Sequence, residues 1–194
     1  MARRISSFTP ALLAAVLLCA AAPACRTSAD AYYARGRRAL AAGQTEAAVD
    51  AFGRAIEKDP RRGDAYLALA KIDLRQEKWL LAVNALREAR RRDRRLEKET
   101  DRLLIDALYQ FATEQLGIGR RREAITSFAE LYAKAPEYPG LRQVYTQALL
   151  DHGREQILQS NFGEGVEALK EVLRVDPENS AARHLLRRTR FSTK

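Results

Sequence analysis

The sequence predicts an all-α protein built as a row of helix–turn–helix units, and three observations carry that prediction. The stretch from Asp30 to Pro60 reads as two amphipathic helices, broken near Gly43 and stopped at Pro60, as Gly and Pro punctuate helical patterns. A second pattern of the same kind opens at Gly63, 34 residues after the first opens at Ala29. Small residues also recur at fixed places in four successive units. Counting from Ala29 and Gly63 in the first two units, and back from Pro136 and Pro177 as position 32 in the last two, position 8 holds Gly36, Ala70, Ala112 and Gly153, and position 20 holds Ala48, Ala82, Ala124 and Gly165. Paired antiparallel helices approach closely only where a ridge lacks bulk.

The first residues carry a different signal. Arg3 and Arg4 precede an apolar run, Ala11 to Ala22, of about a dozen residues, too short to span a ~30 Å hydrocarbon core. Ala22-Pro23-Ala24 before Cys25 resembles a bacterial lipobox, with Ala where Leu is usual. Residues 1–24 are therefore read as a cleaved signal peptide of the lipoprotein type. Of the two Cys, Cys19 falls in the removed part, so the mature chain keeps only Cys25 and can form no internal disulfide. The resemblance implies lipidation at Cys25, where several acyl chains hold far better than one.

Residues 25–28 follow as a short tether, then unit one at 29–62 and unit two at 63–96. Unit one has Tyr32 at position 4, Phe52 at 24, Ala55 at 27 and Pro60 at 32; unit two has Tyr66, Leu86 and Ala89 at the first three of these. Its position 32 is Arg94, with no Gly nearby, which makes this the weakest boundary. The run Arg87 to Arg102 interleaves acids with bases and reads as a solvated face laced with i,i+4 pairs.

Units three (97–138) and four (139–179) are marked by Pro136 and Pro177. Pro60 to Pro136 is 76 residues, two periods plus eight, and Pro136 to Pro177 is 41, one period plus seven. Each insertion is close to two helical turns, which returns an apolar stripe to nearly the same face. The prediction is an extended first helix in both units. Ser180 to Arg190 then supplies a polar-faced half-repeat, so 180–194 is read as a capping helix and tail, as a solenoid requires.

These residues and spacings resemble the tetratricopeptide repeat (TPR), a helix–turn–helix unit of about 34 residues. The resemblance covers about 29–190 and implies a right-handed solenoid of about four repeats. It also implies a concave groove lined by positions 2, 5, 9 and 12 of each first helix. On this chain the groove residues are Tyr33, Arg37, Leu40, Leu67, Lys71, Leu74, Tyr109, Leu116, Leu150 and Arg154. Apolar rows beside a basic row suit a polypeptide segment with apolar anchors and carboxylates. The Lys-and-Asn carboxylate clamp of chaperone-binding members is absent at the matching positions, and Arg142 is placed outside the groove.

No constellation points to catalysis. His152 and His184 are read as standing alone, without a carboxylate or Cys at metal spacing. There is no glycine-rich phosphate loop and no nucleophile with an orienting base. No enzyme activity, metal, cofactor or small-molecule substrate is expected. Net charge is +9, and +7 without residues 1–24, while export argues against nucleic acid. The basicity is directed at anionic lipid, cell-wall polymer or an acidic polypeptide.

The expected function is a non-enzymatic protein-interaction scaffold of the bacterial cell envelope, facing the periplasm and anchored more readily in the outer than the inner membrane. A self-associating module without a groove ligand, or a secreted unlipidated periplasmic protein, are the alternatives. Residues 26–29 reach roughly 15 Å at most when extended, so the partner is expected to be membrane-associated and to enter near the N-terminal end.

Overall fold

The computed structural model describes residues 21–192, which form nine α-helices and one 3-10 turn among the described residues. Four antiparallel pairs follow one another: α1 (Ala21–Ala41) with α2 (Thr45–Lys58), α3 (Gly63–Arg75) with α4 (Trp79–Arg92), α5 (Glu97–Gly117) with α6 (Arg121–Lys134), and α7 (Leu141–Leu158) with α8 (Phe162–Val175). The cap α9 (Ser180–Ser192) packs on α8 and α7. The fold is the expected all-α solenoid with a capping helix. Residues 1–20 of the expected signal peptide, and the side chain of Cys25, lie outside what is described. Residues 25–28, expected as a short tether, are helical within α1, which gives them a rise of about 6 Å at 1.5 Å per residue.

Each pair turns in the same way. Residue Gly43, Glu77, Gly119 or Ser160 takes positive φ, between 56° and 80°. The next amide donates back across the helix end: Gln44 to the Ala39 carbonyl (2.9 Å), Lys78 to Asp73 (2.9 Å), Arg120 to Gln115 (2.8 Å) and Asn161 to Gln156 (2.8 Å). This six-to-one bond, with its inner partner, satisfies carbonyls that a helix end leaves open. Two of the four turns manage it without glycine.

The second helices also stop alike, on an extended residue: Asp59, Asp93, Ala135 and Asp176, with φ between −134° and −145°. Three precede Pro60, Pro136 and Pro177, and the residue before proline is pushed out of the helical region. Asp93 has no proline after it. Its carboxylate accepts the Arg95 amide at 3.0 Å and caps the 3-10 turn Arg94–Leu96. That side chain closes the boundary that looked weakest in the sequence.

The insertions lengthen the first helices. α5 has 21 residues and α7 has 18, against 13 for α3. The small residues sit at the crossings, all buried. A Cβ on Gly36 would lie 2.7 Å from the Phe52 ring, and one on Gly165 would lie 2.7 Å from Ile157 Cγ1. The apolar interior divides in two. A large cluster runs from Leu67 to Ala182; a small one holds Ala39, Ala48, Phe52 and Ile72, with Tyr33 and Leu40 against it.

The Arg87–Arg102 run splits between α4, the 3-10 turn and α5. Arg90 pairs with Asp101 at 2.8 Å, Arg91 and Arg92 with Glu88 at 2.7 and 3.2 Å, and Arg87 with Glu130 of α6. These pairs offset part of its charge, and the run keeps more bases than acids. Among the described residues, no helix is long and apolar enough to cross a membrane.

Candidate functional groove

The ten groove residues do not share one surface. Leu67 and Leu150 are each 6% exposed and belong to the main core. This corrects the expectation that position 5 offers them to a ligand: both side chains are taken up in the apolar interior between helices. Tyr109 is half-buried, its ring 4.9 Å from Tyr138 and 6.1 Å from Phe128. Tyr33 packs on Phe52 at 5.5 Å and lies under the Arg62 guanidinium at 4.5 Å. Burial raises its phenol pKa. Leu40 and Leu74 are half-buried against the small and main clusters respectively.

The expected basic row is largely paired. Lys71 Nζ lies 2.7 Å from Glu99 Oε1, and Arg154 Nη1 lies 3.7 Å from Asp151 Oδ1. Thr113, in the same row, donates to the Tyr109 carbonyl at 2.8 Å. Arg37 is exposed. A carboxylate-bearing ligand would therefore have to compete with acids the solenoid already carries.

What the structure does bring together centres on α7. Half of its residues are buried, and the exposed ones are Arg142, Gln143, Gln147, Arg154 and Leu158; from Gln143 to Leu158 these form one stripe through half-buried Asp151. Clefts follow it in sequence, each sharing wall residues with the next. A polar cleft of about 690 Å³ runs between Pro136–Gly140, Arg142, Gln147 and Asn179. One of about 310 Å³ joins Leu116 and Arg121 to Val144, Gln147 and Asp151. A third adds Arg154, Glu155 and Leu158, and a fourth, of about 270 Å³, reaches Ile157, Leu185 and Arg188.

Of the expected groove residues, Leu116 and Arg154 line this run. Arg142, expected outside any groove, lines its polar end. Gln143, Gln147 and Asp151 were not singled out as binding residues. The signal was their spacing, four residues apart along α7, which puts them on one stripe.

The buried His152 is not solitary, contrary to the sequence expectation. Its Nε2 lies 3.0 Å from Glu164 Oε1, while Glu164 Oε2 accepts from Arg122 Nη2 at 2.7 Å. The network joins α6, α7 and α8. Twelve residues separate His152 from Glu164, so only the antiparallel pairing brings them together.

Residues 29–72 match the family described as Tetratricopeptide repeat. No curated protein matches the sequence. Among solved structures, similarity is found to the TPR domain of Arabidopsis OM64, at 16% identity over 64% of this chain and 96% of that one, with a TM-score of 0.39. TTC0263, a thermophilic TPR protein of Thermus thermophilus, is 17% identical over 84% and 99%, TM-score 0.39. PilF of Pseudomonas aeruginosa is 20% identical over 88% and 71%, TM-score 0.36. Likenesses this distant say nothing about what this chain binds.

Proposed function

We propose that this tetratricopeptide-repeat chain is a scaffold that holds a partner polypeptide along the exposed stripe of α7. Repeats of this kind are in general non-catalytic interaction modules. The observation that carries the proposal is the continuous run of clefts from Arg142 to Arg188, following one helix. Its character changes along its length, from amides at Gln143 and Gln147, through ions at Asp151 and Arg154, to Leu158. A surface graded in this way selects an orientation as well as a sequence, because polar groups fix register while apolar anchors supply affinity.

The proposal includes the cell envelope as the place of action, with residues 1–24 removed and Cys25 lipidated. The motive is the lipobox-like sequence and the lone mature Cys. Cys25→Ser should move the protein from the membrane to the soluble fraction; unchanged fractionation would sink the anchor and leave the groove untouched.

The groove is tested by photocrosslinking in the native envelope. A crosslinking residue replacing Gln147 should give one dominant polypeptide adduct, identified by mass spectrometry, whereas the same residue at exposed Glu57 should not. Equal adducts from both positions, or none from Gln147, would refute binding along α7.

A further inference from the structure

At its last cleft the groove changes character. Here α7 ends and α9 crosses it, leaving a space of about 270 Å³ walled by Arg154, Ile157, Leu158, Leu185, Arg188 and Thr189. The floor is apolar, and Leu158 stands 85% exposed, the most of any large hydrophobic side chain among the described residues. Two of the six walls are guanidinium-bearing and none is acidic. The space falls below the ~300–1,000 Å³ of small-molecule sites, which favours a side chain over a cofactor. Arg154 and Ile157 hold first-helix positions that the repeat pattern assigned to a ligand, but Leu185 and Arg188 come from the cap, which that pattern does not include.

We infer that this pocket is an anchor site for a bulky apolar side chain flanked by carboxylates in the partner polypeptide. The inference rests on the reading that the partner lies along α7. Chemistry supports each half. The apolar side chain would cover Leu158, whose exposure nothing in the described fold relieves, and an anchor buried in a small pocket is how few residues carry most of a binding energy. The carboxylates would meet Arg154 and Arg188 from two different helices. Arg154 is held by Asp151 only at 3.7 Å, the long end of ion-pair distance, so a better placed carboxylate can take it. Guanidinium groups suit such a site because they bind carboxylates in a planar, bidentate manner. Because one wall is the cap, ligand binding and docking of α9 reinforce each other.

The probe is a fluorescent peptide with a central Leu-Phe pair between glutamates, read by anisotropy on the full-length chain in detergent. Replacing the pair by serines should weaken binding roughly tenfold, the scale of losing one anchor. Leu158→Asp should do the same with an unchanged circular dichroism spectrum, because that side chain is already in water. Arg154→Glu with Arg188→Glu should reverse the preference, favouring a peptide whose glutamates are lysines. If Leu158→Asp binds as tightly as the parent while Gln147 still gives its adduct, the pocket is refuted and the groove stands. If the peptide binding depends on Leu158 but Gln147 gives no adduct, the pocket stands without the groove. Equal binding of the glutamate and lysine peptides would overturn the carboxylate half.

Discussion

The same substitution, Gly to Ala, should have opposite signs at two helical positions, and the reason is geometric. Ala is favoured over Gly in a helix interior by about 1 kcal/mol. Gly53 in α2 faces open space, with nothing within 4 Å of where a Cβ would be. Gly53→Ala should realise that gain and raise Tm by roughly 2–4 °C in a chain of this size. Gly165 in α8 is different. A Cβ there would lie 2.7 Å from Ile157 Cγ1, 3.0 Å from the Gly153 carbonyl oxygen and 3.2 Å from the Ile157 nitrogen. The first can rotate away, but the other two are backbone of α7, so the helices themselves must part. Overpacking costs about 1–3 kcal/mol, and backbone obstruction argues for the upper end. Less the propensity gain, the net loss is about 2 kcal/mol, a fall of roughly 4–8 °C. Differential scanning calorimetry of both variants decides it. If Gly165→Ala raises Tm as Gly53→Ala does, close approach of α7 and α8 is not what position 20 requires.

Three further outcomes follow from the same structure. Glu77→Gly and Ser160→Gly relieve positive-φ strain of about 1–2 kcal/mol at some cost in unfolded-state entropy, so each should stabilise by about 0.5–1 kcal/mol in chemical denaturation. Ala82→Arg buries a charge at a crossing with no exposure and should destabilise by about 4 kcal/mol or more, whereas Glu57→Lys should be silent. Glu171 accepts from Arg174 Nε at 2.7 Å and Tyr145 Oη at 3.1 Å, and these bonds, Arg174 first, hold its pKa below the ordinary carboxylate value. A depressed folded pKa gives stability that is present above the unfolded pKa and lost as pH falls through the folded one. Glu171→Gln should therefore lower Tm at neutral pH and match the parent in acid; an equal deficit at both would mean a packing effect instead.

The repeating parts of the fold were legible because each repeats a local constraint. Small residues at positions 8 and 20 mark crossings, and Asp59-Pro60, Ala135-Pro136 and Asp176-Pro177 mark stops through a purely local clash. Asp93 does the same work with a carboxylate, and no proline advertises it. The groove was less legible. Position 5 carries Leu67 and Leu150 alike, yet whether such a side chain faces a ligand or the next unit depends on how the units stack. Gln147 and Asp151 lie outward on α7, at positions 2 and 6 of the fourth unit, where nothing in their residue type marks them as ligand-facing. Pairings such as His152 with Glu164, or Lys71 with Glu99, join residues whose separation in sequence carries no pattern.

The division of the apolar interior has a mechanical consequence. Phe52 and its few neighbours are set apart from the interior that unites every later unit, and they lean on the rest through Ile72 of α3. In a linear array, an end with a thin private interior opens first, at a fraction of the global free energy. Amide hydrogen exchange should accordingly be graded, with Ala51–Ala55 losing protection before Leu104–Leu108. The end that yields is the one nearest Cys25, so a load applied there would unravel the first pair as a sacrificial link and leave α7 and its clefts folded.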